Sequence, residues 1–381
     1  MDSIYLDHAA TAPVNPEVIH AMVPVLENTF GNPSSVHHFG RQARRLLDRA
    51  RETMAASIHA NEKEIVFTSG GTEADNLALI GTALANQHKG KHIITTEIEH
   101  HAILHAANYL EKRGFNVTYL PVSETGAISV ESLEQALTEE TILVSVMMVN
   151  NETGVIQPVK QIAELLKEHQ SYFHTDAVQA YGTLPIDVKD LGVDLLTVSS
   201  HKINGPKGVG FLYSKESVMM EARQHGGEQE RKRRPGTENV ASIVGFQRAV
   251  ELMMENRETM VQTYETYKQT FLQILTDEQV KFSVNGERDN AVSTIINLSF
   301  PGANVESLLT NFDLSGVAAS SGSACTAGSV EPSHVLAAMY GSEDARCVNS
   351  IRFSFGMANT NENVIEAARR VAIIVKRLTT L

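Results

Sequence analysis

The sequence has very little cysteine: two residues in 381, Cys325 and Cys347. Two thiols cannot build a disulfide framework, and without CxxC spacing they do not suggest zinc or thioredoxin-type redox work, so each stands as a single thiol. No apolar run approaches the ~18–20 residues of a membrane span. The opening MDSIYLDHAATAP has neither the basic start nor the apolar core of a signal peptide. The expectation is a cytoplasmic protein. Basic charge is also short: 32 Lys and Arg against 45 Asp and Glu leave −13, which argues against nucleic acid or an anionic membrane as the main partner. Small molecules and proteins remain.

What is present is a globular composition, 42% apolar and 20% charged, in a chain longer than the ~250–300 residues at which single cores stop growing. One large and one small unit are expected. Residues 1–40 read as loop-rich, with Pro13, Pro16 and the Phe30-Gly31-Asn32-Pro33 stretch breaking any long periodicity. From Arg41 the pattern turns helical, with Ala43, Leu46, Leu47, Ala50 and Met54 on one face. Between Glu64 and Leu212 short apolar runs alternate with helical patterns. Ile65 to Phe67, His92 to Thr95, Val117 to Leu120, Ile142 to Val149, Tyr172-Phe173 and Leu195 to Val198 read as strands; Thr72 to Asn86 and Val159 to His169 read as helices. Such alternation predicts a mainly parallel sheet covered on both faces, with its site beyond the carboxyl ends of the strands. Residues 239–275 read as a long helical connector. Strands are expected at Ser293 to Phe300, Val317 to Ala319 and Ser350 to Phe355, and a closing helix carries Val364, Ala368, Val371, Val375 and Leu378.

The polar clusters all follow putative strands. Thr68-Ser69-Gly70-Gly71-Thr72-Glu73 combines two glycines and a hydroxyl at a strand-to-helix turn, suited to cradling a phosphate on backbone amides, although a plain helix cap at Thr72 would look the same. It is no Walker loop, because the GK[ST] ending is absent. Of the adjacent His100 and His101 only one can face a site, since neighbouring helix positions do not converge on one metal ion; no metal is required. Asn150 to Gly154 follows the strongest strand. Asp176 ends the next, placed to pair with a pyridine nitrogen or to cap a turn, with Gln179 on the same side. Lys202, in SSHKINGPKG between two apolar runs, is an amine held at a strand end, where it can form an imine with an aldehyde; most lysines before a turn are simply solvated. Arg352 interrupts the apolar strand Ser350 to Phe355 and either snorkels at an edge or binds a carboxylate. Cys325 sits among small and turn-forming residues from Ser320 to Ser333, a setting open to a reactive thiol or a buried one. Cys347, beside Arg346 in an expected loop, has no evident chemical role. The run Arg231-Lys232-Arg233-Arg234 reads as a solvated loop.

Taken together, YLDHAAT, TSGGTEADN, VNNETG, HTDAVQA, SSHKINGPKG, SSGSACTAGS and SIRFSFG resemble the pyridoxal phosphate (PLP)-dependent cysteine desulfurases, the NifS/IscS-like branch of the class V aminotransferase superfamily, over nearly the whole chain. The resemblance implies an α/β, fold-type I PLP-dependent transferase. Its large PLP-binding domain would span 15–255, a mainly parallel sheet flanked by helices. A smaller α/β C-terminal domain, 1–14 and 256–381, would carry the cysteine loop at about 320–333. Lys202 would be the Schiff-base lysine, His100 the ring-stacking residue and proton carrier, Asp176 the partner of the pyridine nitrogen and Gln179 that of the phenolic oxygen. Gly71, Thr72, Ser199 and His201 would hold the phosphate, joined by Thr237 of the partner subunit. Asn151 and Arg352 would bind the substrate carboxylate, and Cys325 would accept the sulfur. Gly71 stands where members of the family can carry alanine and Ser200 where they can carry glycine, and neither removes a needed side chain. The implied activity converts L-cysteine to L-alanine with a persulfide on Cys325, in a homodimer that serves a sulfur-acceptor protein such as an iron–sulfur scaffold or a tRNA-thiolating enzyme. Selenocysteine lyase and aminotransferase are alternatives on the same fold; a non-catalytic nucleotide-binding or scaffold protein is the alternative of another class.

Overall fold

The computed structural model describes residues 3–322 and 332–379. Its centre is a seven-stranded sheet formed by Ile65–Thr68 (β1), His92–Thr96 (β2), Asn116–Leu120 (β3), Thr141–Ser145 (β4), Tyr172–Asp176 (β5), Leu195–Ser199 (β6) and Gly210–Ser214 (β7). The order across the sheet is β1-β7-β6-β5-β4-β2-β3. Only β7 runs antiparallel to its neighbours, while β6, β5, β4, β2 and β3 pair in parallel. Strands β1, β2, β4, β5, β6 and β7 are buried almost throughout, which is why they read as unbroken apolar runs rather than alternating ones. The apolar run after β4 leaves the ladder at Ser145, yet Val146 and Met148 still donate to the carbonyls of His174 and Asp176. Asn150 and Asn151 are thereby held beside the end of β5.

The helices cover this sheet. His38–Ser57 (α2) buries Ala43, Leu47, Ala50 and Met54 along one face. Residues before it are not a loop as expected: Pro16–Asn28 forms a helix (α1). Its prolines explain the misreading. Pro16 occupies the first turn, where a missing N–H costs nothing, and Asn15 caps that turn through Oδ1 to the Glu17 N–H. Only Val18 and Val25 of α1 are buried, so its face toward the core is too short to show as periodicity. The helix expected from Thr72 to Asn86 begins as Gly71–Asn76 (α3) and passes through a π segment at Leu77–Gly81.

Val240–Asp277 (α6), counted after His101–Glu111 (α4) and Val159–Leu166 (α5), is 38 residues long. At ~1.5 Å per residue it spans about 57 Å. Its first half buries Ile243, Phe246, Val250 and Met253 in the core around the large sheet; its second half places Tyr264, Phe271 and Leu275 in a separate core with Ile4, Leu6, Phe300, Phe353 and Val371. That second core packs on an antiparallel sheet of Ile295–Ser299 (β8), Ser350–Ser354 (β9) and the short Ser283–Val284. The helices Val305–Leu314 (α7), His334–Tyr340 (α8) and Asn361–Thr379 (α9) complete this part of the chain. Cys347 is not in a loop: it lies in the short helix Arg346–Asn349 and is buried. Cys325 falls outside the described residues.

Candidate active site

The polar clusters meet where the ends of β1, β5 and β6 face β9, and an N-terminal strap joins them. After β1 the chain turns through Gly70 at φ +148°, ψ −174°, a conformation open in practice only to glycine. The turn lets Gly71 and Thr72 start α3 beside Ser199 and His201. Together with Thr11, Ser69 and Lys207 these residues line a cavity of about 320 Å³. It has hydroxyls, backbone amides at a helix start and one lysine, a donor set that fits a phosphate. Glu73, the acid at its rim, is occupied by Arg234 at 2.7 Å and by the Ser69 N–H at 2.8 Å. Arg234 of the basic run is thus paired rather than merely solvated. Thr237 is exposed and is not among the residues lining the cavity in its own chain.

Lys202 ends the short helical turn after β6. Its Nζ donates to the carbonyls of Ala9 at 2.5 Å and Ala10 at 2.7 Å, and Gln179 Nε2 donates to the same Ala9 oxygen at 3.0 Å. His201 Nδ1 lies 3.1 Å from Thr11 Oγ1. Burial first, and then the cations of Lys202 and Lys207, push His201 down to about 4, so its ring is neutral at pH 7. Ser200, which replaces a possible glycine, is accommodated from the other side: a side chain on Gly205 would overlap its Oγ.

Asp176 closes β5 with Oδ1 accepting the Val178 N–H at 2.9 Å. Burial raises it to about 6, against the opposing pull of that hydrogen bond and of Lys202. Two further buried acids lie near it. Asp75 is raised by burial and then by Asp176, and Glu99 is pushed up to about 8, chiefly by burial. His174, fixed by Ser145 Oγ at 2.9 Å and Thr197 Oγ1 at 3.1 Å, is held neutral by complete burial. Glu99 therefore keeps its proton at neutral pH, burial and the neighbouring Asp176 disfavour the charged form of Asp75, and Asp176 is ionised.

His100 caps α4, its Nδ1 accepting the Ala102 N–H at 3.1 Å, which puts the ring proton on Nε2. Burial, with Lys202 second, lowers it to about 4. His101 instead packs its ring against His105 at 5.3 Å and His334 at 4.8 Å. On the opposite wall Arg352 points inward from β9 with its side chain 3% exposed. Nη2 meets Asp7 Oδ1 at 2.9 Å and Nη1 meets the Asn151 carbonyl at 2.9 Å. Arg352 Nε and Asn151 Oδ1 are both buried with no hydrogen-bond partner among the described residues, one donor and one acceptor available to a small polar ligand.

The strap was named in the sequence as the YLDHAAT motif, but none of its residues was expected at the site. Asp7, Ala9, Ala10 and Thr11 touch Arg352, Gln179, Lys202 and His201 in turn, so one turn of chain links residues from both cores. Its only signal was a polar residue in YLDHAAT ahead of small ones. Asp75, Glu99 and Glu152 were also missed as partners, because burial of an acid is invisible until the sheet is assembled.

Comparison with known proteins fits this geometry. The model of the aminotransferase class-V family matches residues 4–366. A putative cysteine desulfurase IscS 1 of Bacillus subtilis is 56% identical over 379 residues, covering all of both chains. The chain belongs to the cysteine desulfurase family. A cysteine desulfurase IscS of Clostridium botulinum is 46% identical over 376 residues, 98% of this chain and 94% of the relative. Among solved structures, a NifS-like protein superimposes with a TM-score of 0.92 at 33% identity, covering 99% of this chain and 100% of the other. SspA in complex with cysteine gives 0.82 at 37% identity, with 92% and 98% covered. The chain is thus an enzyme of this class V aminotransferase fold, and its family uses PLP in general. No helix among the described residues is long and apolar enough to cross a membrane.

Proposed function

We propose that this desulfurase uses PLP on Lys202 to take sulfur from L-cysteine, leaving L-alanine and a persulfide on Cys325 for delivery to an acceptor protein in the cytoplasm. The observation that carries the reading is the convergence of Lys202 and Gln179 on the Ala9 carbonyl, in the strap whose Thr11 meets His201 and whose Asp7 meets Arg352. PLP would be held by Gly71, Thr72, Ser199 and His201, with Asp176 facing its ring nitrogen, Gln179 its phenolic oxygen and His100 its face. When bound, the cofactor supplies an electron sink for charge developing at the substrate Cα.

The chain's own residues would do the rest. Arg352 and Asn151 would orient the substrate carboxylate, and Asp176 would offer its negative charge to the ring nitrogen. Lys202 Nζ, once free of the strap carbonyls, accepts the Cα proton. Neutral His100 can donate its Nε2 proton or take one up. The Cys325 thiolate attacks the substrate sulfur: the carbon–sulfur bond breaks, a sulfur–sulfur bond forms, and the carbon keeps the electron pair and is protonated to alanine. The division into 15–255 and 1–14 with 256–381 belongs to the same reading, supported by the two separate apolar cores.

A two-fold pair is part of it as well. Ile19, Val23, Leu26 and Phe30 form an exposed apolar stripe along and just beyond α1, continued by Val36 and Phe39, an area that a second copy would bury. Thr237, exposed and away from its own phosphate cavity, is free to serve the partner's. The test of function separates the cysteines. Cys325→Ser should bind PLP and change its spectrum on addition of L-cysteine yet form almost no alanine, whereas Cys347→Ser should match wild type, and mass spectrometry should find the extra sulfur on the Cys325 peptide. Sulfur on Cys347, or full turnover by Cys325→Ser, refutes the assignment. A keto acid in place of alanine would mean an aminotransferase instead.

A further inference from the structure

Glu152 has no part in the chemistry above, yet it is the carboxylate on which both ends of the Cys325 segment close. It follows Asn151 in the turn after β4, its backbone fixed by the Asn150 side chain, whose Oδ1 accepts the Glu152 N–H at 3.0 Å, and by the Asn297 amide, which donates to its carbonyl at 3.2 Å. The side chain is 1% exposed. A carboxylate buried to this degree is costly unless partnered; here its polar partners come from the segment's far end, and the near end packs against it. On the far end, Ser333 Oγ donates to Glu152 Oε2 at 2.5 Å while accepting the Leu336 N–H at 3.1 Å as the cap of α8. His334 puts Nδ1 4.0 Å from Oε1 and Nε2 3.0 Å from the Glu99 carbonyl. On the near end, Gly322 packs so closely that a methyl group added to it would overlap the Glu152 carboxylate and crowd Ser333 Cβ. Two residues earlier, Ser320 and Arg352 exchange backbone hydrogen bonds at 2.7 and 3.2 Å. Residues 322 and 333 are thus seated on one carboxylate, next to Asn151 and Arg352.

We propose that Glu152 is a positioning residue that anchors both ends of the segment carrying Cys325, so that sulfur transfer depends on it while binding of L-cysteine does not. The proposal rests on the reading of Cys325 as the sulfur acceptor. Its physical basis is that a tether fixed at both ends raises the effective concentration of a nucleophile at its target, and a displacement of about 1 Å at the anchor is enough to cost up to ~10²-fold in rate. Glu152 makes no hydrogen bond to Arg352 or Asn151 among the described residues; apart from a charge interaction with Arg352, it acts through the segment it holds. The substrate carboxylate wall, Arg352 and Asn151, keeps its own contacts to Asp7 and the backbone without it.

The experiment uses PLP-loaded Glu152→Ala, Glu152→Gln and Ser333→Ala proteins. For each, the L-cysteine concentration that half-saturates the change in the visible spectrum is measured, and separately the rate of alanine and persulfide formation in a single turnover. Glu152→Ala is expected to hold its half-saturation within about threefold of wild type and to slow alanine formation by about tenfold or more. Glu152→Gln, which keeps an oxygen for Ser333, should recover most of that rate, and Ser333→Ala should show the same split at smaller size. A wild-type rate in Glu152→Ala, an equal loss of binding and rate, or no rescue by glutamine overturns the proposal. Should Glu152→Ala fail to fold, a normal rate in Ser333→Ala overturns it just as well. Failure of the reading beneath it looks different: wild type itself would then leave no persulfide on Cys325.

Discussion

Arg352→Lys is the substitution whose effect follows most directly from the structure. The guanidinium uses one arm on Asp7 and the other on the Asn151 carbonyl, with Nε buried and unpartnered beside them. Lysine keeps the positive charge next to Asp7, so the acid is not left unpaired, but a single ammonium cannot span both contacts and also present a planar edge to a carboxylate. At least one charge-assisted hydrogen bond is lost, worth about 1.5–3 kcal/mol, or roughly 10- to 150-fold at 1.4 kcal/mol per tenfold. Because the substrate carboxylate does not change during reaction, the loss belongs to uniform binding and should appear in KM, with kcat within about fivefold of wild type. Steady-state assays with L-cysteine and with 2-aminoethanethiol, which has the amine and thiol but no carboxylate, separate this from general damage. The preference for L-cysteine should shrink while the poor activity on the amine stays level. An unchanged KM for L-cysteine, or an equal loss on both compounds, would refute the placement of the carboxylate at Arg352.

Three other outcomes are expected. Lys202→Ala should purify without the visible absorbance of PLP-loaded protein and show no turnover, because among the described residues no other amine meets the Ala9 and Ala10 carbonyls; desulfurase activity in this variant would remove Lys202 from its role. Glu99→Gln should stabilise the cofactor-free protein increasingly between pH 5 and 8: Glu99 is raised from 4.5 to about 8, so the fold retains a proton that the unfolded chain releases, and wild-type stability falls with rising pH by about 3 kcal/mol at pH 7. Denaturant melts showing the same pH slope in both proteins would contradict that burial. Thr237→Ala should weaken PLP binding by about tenfold, as loss of a phosphate hydrogen bond would, in a protein that remains a dimer by light scattering; an active PLP-loaded monomer would refute delivery of Thr237 by the partner.

How much of this was legible in sequence varied with the physics behind each feature. The large sheet was readable because all its strands but the edge strand Asn116–Leu120 are buried on both faces and so appear as plain apolar runs, and the connector helix because its length far exceeds any loop. The helix Pro16–Asn28 was not, since three prolines nearby outweigh a buried face of two residues. Cys347 looked loop-bound beside a charge, yet Arg346 stacks on the Tyr340 ring at 3.3 Å and pairs with Asp344, leaving the thiol free to bury. Lys202, Asp176 and Arg352 each had an ordinary reading in its own stretch, as a solvated lysine, a turn cap and an edge arginine, and the resemblance is what gave them their expected roles. Glu152 and Asp75 look like any acid in a turn or helix, and only contacts across roughly a hundred or more residues give them meaning.

The basic run shows the same point for charge. Read alone, Arg231 to Arg234 is a solvated cationic loop. In the structure the loop is pinned at two places: Glu230 turns inward at φ +45° to meet Arg51 through both oxygens, and one of those oxygens also accepts the Phe67 N–H at 2.9 Å, while Arg234 pairs with Glu73 at the rim of the phosphate cavity. Backbone in the left-handed region is unfavourable for a side chain such as glutamate, and a buried ion pair gains little by itself, so neither feature is there for stability alone. Both fix the base of the loop that presents Thr237 outward, and Phe67 is the residue before Thr68, where the phosphate turn begins. The cavity beside Gly71 and the loop that exposes Thr237 therefore share one footing, the arrangement that the proposed completion of the site by a second copy would require.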